Sequence, residues 1–565
     1  MKKRIALLLV CLMLGMTACA PQKAPETTSA AETDAALSQP QLAGEITEII
    51  LKGTEVTVNG DHGAVSLTND IIYYEDRQTY ESGNPYGEGE AHERHSAQEA
   101  AEHLVVNITK PGNYRLSGEL TLGQIRIDLG EDAYDSPEAV VNLILDGVNI
   151  NCTVAPAILF LNVYECDGDW STDTARAEVD TTAAGANLIL ASGSENIVNG
   201  SHVAKIYKDK DGEKKLWKQD GAIYSYMSMN VAGSGTLDLC ADNEGLDTEL
   251  HLTINGGNLN IRSDNDGINT NEDGVSVTTI NGGNIHIIAG LGEEGDGIDS
   301  NGYLVINGGT VVSSANPAAD AGLDSDLGSY INGGTVIALG SAMDWAESDS
   351  DQVTMNLQFS QMRSSGSSIA VTKEDGSLVF AYDPGEDEVL AENVRAYMGA
   401  VISCPGFAVG ERYRVYMNGT IAGSETGGIY AESATLEDGT QQSYSSTDVM
   451  MGPGGRPPFE GGQRPEDGRG QQPDGEMPTM PEGETFPQGE WPERGQTPPD
   501  GEIPTMPEGQ VPPDGFGQMG KMPGGQTPPG EFDPLGQTPN EGENNFLFFM
   551  QDKVNFFSGL TDVIE

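Results

Sequence analysis

The chain has 565 residues, with 87 acidic against 29 basic, for a formal net charge of −58. Such an excess argues against nucleic acid, whose phosphates need clustered Lys and Arg, and against electrostatic docking on an anionic membrane. It favours divalent cations as partners, or a heavily hydrated surface. The length suits more than one domain or one long repeat array.

The chain opens on an address. "MKKRIALLLVCLMLGMTACAPQ" joins a basic start, an apolar run from Ile5 to Met16 and the tripeptide Thr17-Ala18-Cys19, the pattern of a signal peptide over residues 1–19. The small residues before Cys19 resemble a bacterial lipobox, with Met16 where Leu is usual. On that reading Cys19 is lipidated and anchors the protein to the extracellular face of the bacterial cell membrane, its one expected contact with lipid. Plain secretion, with Cys19 incidental, is the alternative. Residues 20–44, rich in Ala, Thr, Pro, Gln and Glu, read as a flexible tether. The later cysteines, Cys152, Cys166, Cys240 and Cys404, lack the paired Cys-x-x-Cys of a zinc site. An exported chain can oxidise them, but each lies in or beside an apolar run, which predicts buried structural thiols, and their spacing leaves any pairing open.

Self-similarity organises the middle of the chain. "INGG" occurs at Ile254, Ile280, Ile306 and Ile331, at spacings of 26, 26 and 25 residues. A short apolar alternation follows each one: "NLNIRS", "NIHIIA", "TVVSSA" and "TVIALG". These have the period of two that marks strands. Between them recurs Gly-Ile/Leu-Asp/Asn-Thr/Ser, at Gly245, Gly267, Gly297 and Gly322. No segment shows the helical periodicity of leucine-rich or ankyrin repeats, and propeller blades run to about 40 residues. The expected fold is therefore all-β, a parallel β-helix in which each repeat is one coil and coils stack about 4.8 Å apart. Ile254, Ile280, Ile306 and Ile331 then form an aliphatic column, the asparagines after them a polar ladder, and the glycines the corners.

Runs such as "VVNLILDGVNINC" and "ANLILASGSENIVNG" extend this texture towards the N-terminus, and hairpin-like segments from Ser367 to Thr426 read as a β cap. A solenoid needs such caps because its last coil exposes strand edges and core. The expected solenoid with its cap spans residues 45–430. Residues 431–545 read as a disordered Pro/Gly-rich tail; twenty of the thirty prolines lie between Gly452 and Asn545. Residues 546–565, "FLFFMQDKVNFFSGLTDVIE", form a short apolar segment that either docks on the helix or a partner, or has no role.

The repeats carry the chemistry. Stacking them puts Asp247, Asn269, Asp299 and Asp324 in one column and Glu244, Asp266 and Asp296 in another, broken by Ala321. Asp242, Asp264, Glu294, Asp320 and Asp326 flank these columns. From Gln219 to Gly340 there are seventeen acidic residues and one basic residue, Arg262, so internal ion pairs are not expected to neutralise the array. Like charges about 5 Å apart in a partly desolvated groove cost on the order of a few kcal/mol per pair. Three escapes exist: the acids are screened by water, they share protons at raised pKa, or they bind a hard cation. Ca²⁺ takes six to eight oxygen ligands, which Asp, Asn and backbone carbonyls of adjacent turns supply. The candidate metal ligands are Asp242, Asp247, Asp264, Asp266, Asn269, Asp296, Asp299, Asp320, Asp324 and Asp326. Zinc is not expected, since His251 and His286 lie in strand patterns without Cys or His partners.

The succession "VNITKPGNYRLSGELTLGQIRIDL", "VNLILDGVNI", "DGAIYS" and then the "INGG" and "DGI(D/N)" repeats resembles a family of bacterial cell-surface carbohydrate-binding proteins, over roughly Glu45 to Gly423. "AHERHSAQEAAEHL" and "YKDKDGEKKLWKQ" look like insertions in it, the second bringing a local basic cluster. The resemblance implies a right-handed parallel β-helix that binds calcium, cellulose and acidic plant polysaccharides such as polygalacturonate, without catalysis.

Two other classes remain beside this one. A calcium-dependent polysaccharide lyase needs a base for the α-proton of a uronate, usually Lys or Arg, and the array offers only Arg262, better suited to an ion pair. A structural or adhesive scaffold is the other. A polyanionic sugar meets repulsion here unless calcium bridges it to the acids. A neutral glucan would stack on aromatics such as Tyr224, Tyr226, Tyr303, Tyr330 or Trp345, although aromatics make up only 6% of the chain.

Overall fold

The computed structural model describes residues 42, 44–74, 93–207, 215–341, 344–387, 395–447 and 545–563. The signal peptide, Cys19, nearly all of the tether and most of the Pro/Gly-rich segment lie outside the described residues. The chain divides into residues 1–460 with 539–565, and residues 461–538; everything described belongs to the first unit.

Almost all regular structure is β; the described residues hold one α-helix, Ala97–Ala101, started by Ser96, whose hydroxyl accepts from the Glu99 amide. The repeats pair in parallel in three ladders. The first runs Ile158–Asn162, Gly221–Ser225, Glu244–Thr248, Ile268–Thr270, Ile298–Ser300, Leu323–Ser325. The second runs Gly112–Leu120, Val141–Asn151, Ala186–Leu190, Met229–Gly233, Leu252–Ile254, Val277–Ile280, Tyr303–Ile306, Gly328–Ile331. The third runs Glu195–Gly200, Thr236–Ala241, Asn258–Ser263, Asn284–Ile288, Thr310–Ser314, Thr335–Gly340. Each repeat gives one strand to each ladder, so neighbours in a ladder are neighbours in the repeat, one period on.

Strand alternation decides what is inside. In Asn258–Ser263, Leu259 and Ile261 are fully buried while Asn258, Asn260 and Arg262 are not. Ile254, Ile280, Ile306 and Ile331 are register partners, each at most 1% exposed. The asparagines that follow them form a chain of amide hydrogen bonds: Asn281 Nδ2 donates to Asn255 Oδ1 at 2.9 Å, Asn307 to Asn281 at 2.9 Å, and Asn332 to Asn307 at 3.0 Å. The second glycine of every "INGG" has positive φ: +106° at Gly257, +97° at Gly283, +82° at Gly309 and +90° at Gly334. That is the left-handed corner a side chain resists.

Both ends of the array are covered. At the start, Ile46–Gly53 lies parallel on Gly112–Leu120 and pairs antiparallel with Glu55–Asn59. At the far end, Tyr397–Ser403 pairs antiparallel with the last third-ladder strand, Thr335–Gly340, and with Thr354–Arg363. One feature of this cap differs from the sequence expectation, and a second realises one of its alternatives. Strands continue beyond residue 430, as Thr435–Leu436 and Thr440–Ser443. Residues 546–563 are built into the cap: Val554–Asp562 pairs parallel with Thr354–Arg363 and antiparallel with Thr440–Ser443, and Phe548–Phe549 pairs with Arg412–Met417. Phe548, Met550, Phe557 and Leu560 are at most 2% exposed in a separate core. Among the cysteines, Cys152 and Cys404 are buried, whereas Cys166 and Cys240 are half-buried, and all four are free thiols.

Candidate functional site

The first ladder carries the acids. Its motif strands pair so that Asp247, Asn269, Asp299 and Asp324 are successive register partners. Leu246, Ile268, Ile298 and Leu323 point into the core at 0–1% exposure, which turns the next residue of each strand to the opposite face. The residue before each motif glycine forms the second column, tied rung to rung through the backbone: Gly245 N donates to Asp266 O at 2.9 Å, Gly267 N to Asp296 O at 3.0 Å and Gly297 N to Ala321 O at 2.9 Å. Side chains lock it further, since Asp266 Oδ1 accepts from Asp296 N at 2.6 Å and Asp296 Oδ1 from Ala321 N at 2.5 Å.

The tightest group is Asp220, Glu244 and Asp247, each offering one carboxylate oxygen within 4.8 Å of the others. Asp247 is 0% and Glu244 5% exposed, and Asn269 beside them 5%. Glu244 Oε2, Asp247 Oδ2 and Asn269 Oδ1 are shut off from solvent and meet no N–H or hydroxyl donor, and the Glu244 and Asp247 carboxyls stand close enough to share a proton. Orphaned acceptors of this kind cost about 1–3 kcal/mol each, more when charged. Asp220 and Glu244 are not among the ligands expected from the sequence. The signal for both was an acid immediately before a motif-type glycine, in "DGAIYS" and "EGLDT".

One cation reaches the acids from within the chain, from just outside the repeat stretch. Lys218 stands one position before the stretch in which only Arg262 is basic, at the end of an antiparallel hairpin made by Val203–Tyr207 and Lys215–Gln219. Its side chain is 9% exposed, its ammonium donates to Asp220 Oδ2 at 2.9 Å, and it also bonds Asn271 Oδ1. Asn271 Nδ2 in turn donates to Asp247 Oδ1 at 2.5 Å, and Asn269 Nδ2 to Glu244 Oε1 at 3.1 Å.

One ammonium does not balance the column. Burial, then the charge of Glu244, pushes Asp247 well above the ordinary carboxylate range; burial, then Glu244, does the same to Asp266. Glu244 is raised by burial and by Asp220. Burial followed by Asp324 raises Asp296 to about 8 and Asp299 to about 7. Asp344 rises to about 7 through burial and Asp324, although the Ser325 and Ser329 hydroxyls donate to it at 2.8 and 3.4 Å. Lys218 is the converse: burial disfavours its charge, but Asp220, Glu244 and Asp247 outweigh that and hold it protonated.

The remaining expected ligands are placed differently. Asp242 bonds Ser201 Oγ at 2.6 Å and His202 Nδ1 at 2.9 Å, and Glu93 flanks the same imidazole at 3.1 Å, which raises His202 to about 10 against the effect of its burial. Asp264 feels Asp242 after its own burial. Asp320 Oδ2 accepts from Gly295 N at 2.9 Å and so also braces a turn. Asp326 acts on Asp299 through its charge. Of the aromatics, Tyr224 is fully buried and bonds Glu249, and Trp345 is 6% exposed against Phe556, so neither presents a stacking face. Tyr303 and Tyr330 are half-buried neighbours on the second ladder, centroids 6.2 Å apart.

Fold and site define an all-β protein that buries a column of carboxylates and amides along one of its parallel ladders. Residues 102–383 match the family described as carbohydrate-binding domain-containing protein. A protein of that description from Acetivibrio thermocellus is 32% identical over 159 residues, which cover 28% of this chain and 45% of the relative, so the match spans less than half of the relative's length. A solved structure described as a polysaccharide lyase-like protein from C. thermocellum, a gadolinium derivative, aligns with 51% of this chain and 93% of its own at 23% identity and a TM-score of 0.30.

Proposed function

We propose that the protein is a non-catalytic, calcium-dependent polysaccharide-binding protein of the bacterial cell surface. The three ladders are read as the faces of a right-handed parallel β-helix, and Cys19 as its lipid anchor. The observation that carries the reading is the set of buried oxygens without an N–H or hydroxyl donor on Glu244, Asp247 and Asn269, beside acids already driven towards protonation. A hard cation relieves both problems at once, because it supplies positive charge and accepts oxygen ligands from adjacent rungs. The donor set is oxygen throughout, which fits Ca²⁺ and not zinc. Asp220, Glu244, Asp247 and Asn269 would hold one ion, and Asp266, Asp296, Asp299 and Asp324 further ions along the column. Cations at the outer edge of the column would bridge it to the carboxylates of an acidic glycan such as polygalacturonate; cellulose is the neutral alternative ligand.

A lyase needs a base placed at the α-proton of a uronate; the Lys218 side chain is 9% exposed and is bonded to Asp220 and Asn271, which favours binding over catalysis. The deciding experiment is retention of the full chain in polygalacturonate affinity gels, with calcium and with a chelator, while absorbance of unsaturated uronates is followed. Calcium-dependent retention without new absorbance is expected. Equal retention in both gels removes the calcium bridge, and growth of absorbance makes the protein a lyase.

A further inference from the structure

We infer that the second ladder carries a separate binding groove for an uncharged glycan, one that does not use calcium. Its floor is a column of neutral polar side chains on successive rungs. Asn113, Asn142, Asn187, Asn230, Thr253 and Thr279 are register partners in turn, followed by Val305 and Tyr330. Alternation turns these positions outward, because their strand neighbours Met229, Val231, Leu252, Ile254 and Ile280 are fully buried. Residues 179–182 form one wall and enclose a groove of about 320 Å³ against Asn142, Asn187, Asn230, Thr253, Thr279 and Asn281. That lies at the small end of ligand sites, which begin near about 300 Å³, so it holds a short stretch of a longer chain.

The groove is braced rather than loosely formed. Thr181, 4% exposed, hydrogen-bonds Asn230 Oδ1 at 2.8 Å and Thr253 Oγ1 at 2.7 Å, and Asn230 Nδ2 donates to Thr181 O at 2.8 Å and Asn187 Oδ1 at 3.0 Å. The wall is thus fastened to the floor by buried bonds, and the amides on the floor are held in fixed rotamers. Asn142, Asn187, Thr279 and Asn281 keep partly exposed faces. An amide presents two N–H donors and an oxygen with two lone pairs. Asn281 spends one N–H on Asn255 and its oxygen on Asn307, and its second N–H is uncommitted among these ladder bonds.

The chemistry of the lining selects the ligand. It holds one carboxylate, Asp180, and no Lys, Arg or His. An anionic ligand finds no counter-charge there and meets the field of a chain with net charge −58. Val179, Leu188, Ile189 and Ala232 also line the groove, but a wholly apolar ligand would leave the partly exposed amides of Asn142 and Asn281 without water. Sugar hydroxyls, each both donor and acceptor, match the partly exposed amides and hydroxyl of Asn142, Asn187, Thr279 and Asn281 on either side of the covered Asn230 and Thr253. The column then runs on to Tyr330, with Tyr303 beside it, two aromatic rings able to pack the apolar face of a pyranose.

The groove goes beyond the acidic column, and its test separates the two. Full-chain protein is run in affinity gels containing hydroxyethylcellulose, xyloglucan or mixed-linkage β-glucan, in chelator and, in a parallel set, in calcium. At least one of these is expected to retain the wild type. Thr279→Arg, which fills the floor, and Tyr330→Ala, which removes a ring, are each expected to weaken retention at least tenfold, while Thr279→Ser binds normally. All three variants are checked for a wild-type melting transition, and Tyr330→Ala decides if Thr279→Arg is misfolded. The inference is overturned if none of the three glycans retains the wild type, or if Tyr330→Ala and a folded Thr279→Arg bind as wild type does. It is also overturned if binding appears only when calcium replaces chelator, which would place it on the acidic column. Loss of polygalacturonate retention alone leaves the groove intact and removes only the calcium bridge.

Discussion

Replacing Lys218 with Met tests the electrostatics of the acidic column directly. Methionine keeps much of the apolar stem and removes the ammonium. In the native protein the Lys218 side chain is 9% exposed and its ammonium lies 2.9 Å from Asp220, amid Glu244 and Asp247. Taking one partner from a buried ion pair costs about 3–5 kcal/mol, because the remaining charges stay buried without compensation. For a folded unit of this size, at about 1.2 °C per kcal/mol, the melting temperature in chelator should fall by roughly 4–6 °C. Ionised, the three carboxylates and Lys218 sum to −2, and the variant to −3, so a cation should bind the variant more tightly. Calcium at a hundred times its Kd adds about 2.7 kcal/mol to whichever state binds it. At one fixed calcium concentration the variant should therefore recover more stability than the wild type gains. Calorimetry of both proteins, in chelator and in calcium, reads all four values. A variant that melts with the wild type in chelator, or that gains less from calcium, would refute the reasoning.

Two further outcomes follow from other parts of the molecule. Burial lowers His251 to about 4, Asp167 opposing this and Arg176 adding to it, so the folded state binds fewer protons at this site than the unfolded state below pH about 6.5. Its stability contribution is complete above that pH and is lost as pH falls towards 4, by about 3 kcal/mol at most. The stability difference between wild type and His251→Leu, followed by denaturant titration from pH 8 to 4, should shift by this amount against the wild type; a difference independent of pH contradicts the shift. Deleting residues 546–565 removes Phe548, Met550, Phe557 and Leu560 from the cap core, roughly 6–12 kcal/mol of apolar burial at about 1.5–3 kcal/mol each. It also bares the edge of Thr354–Arg363. The truncated chain should be cut early within 354–443 by protease, and an unchanged digestion pattern would show that the C-terminal strand is dispensable.

Much of the ladder architecture was legible because it is local. A side-chain period of two and a repeat of 25–26 residues leave one economical way to place the Ile254, Ile280, Ile306 and Ile331 column, and that register then fixes the Asp247, Asn269, Asp299 and Asp324 column. A slip of one residue would expose the isoleucines, so the pattern enforces itself. The break at Ala321 was visible for the same reason.

Features outside the period escaped the same reading. Lys218 sits in an insertion with no repeat partner, and nothing in its neighbourhood says that the hairpin folds back onto the acids. Asp220 and Glu244 have the right neighbours in sequence, but only the approach of adjacent turns makes them, and not Asp242, the companions of Asp247. The groove on the second ladder exists because Thr181 reaches Asn230 and Thr253, 49 and 72 residues away. The C-terminal strand pairs across about 200 residues with Thr354–Arg363. The sequence by itself determined which residues stack, since stacking repeats a local alternation at a fixed interval; tertiary structure alone decided which surfaces are roofed, braced or neutralised, since those contacts join segments that share no period.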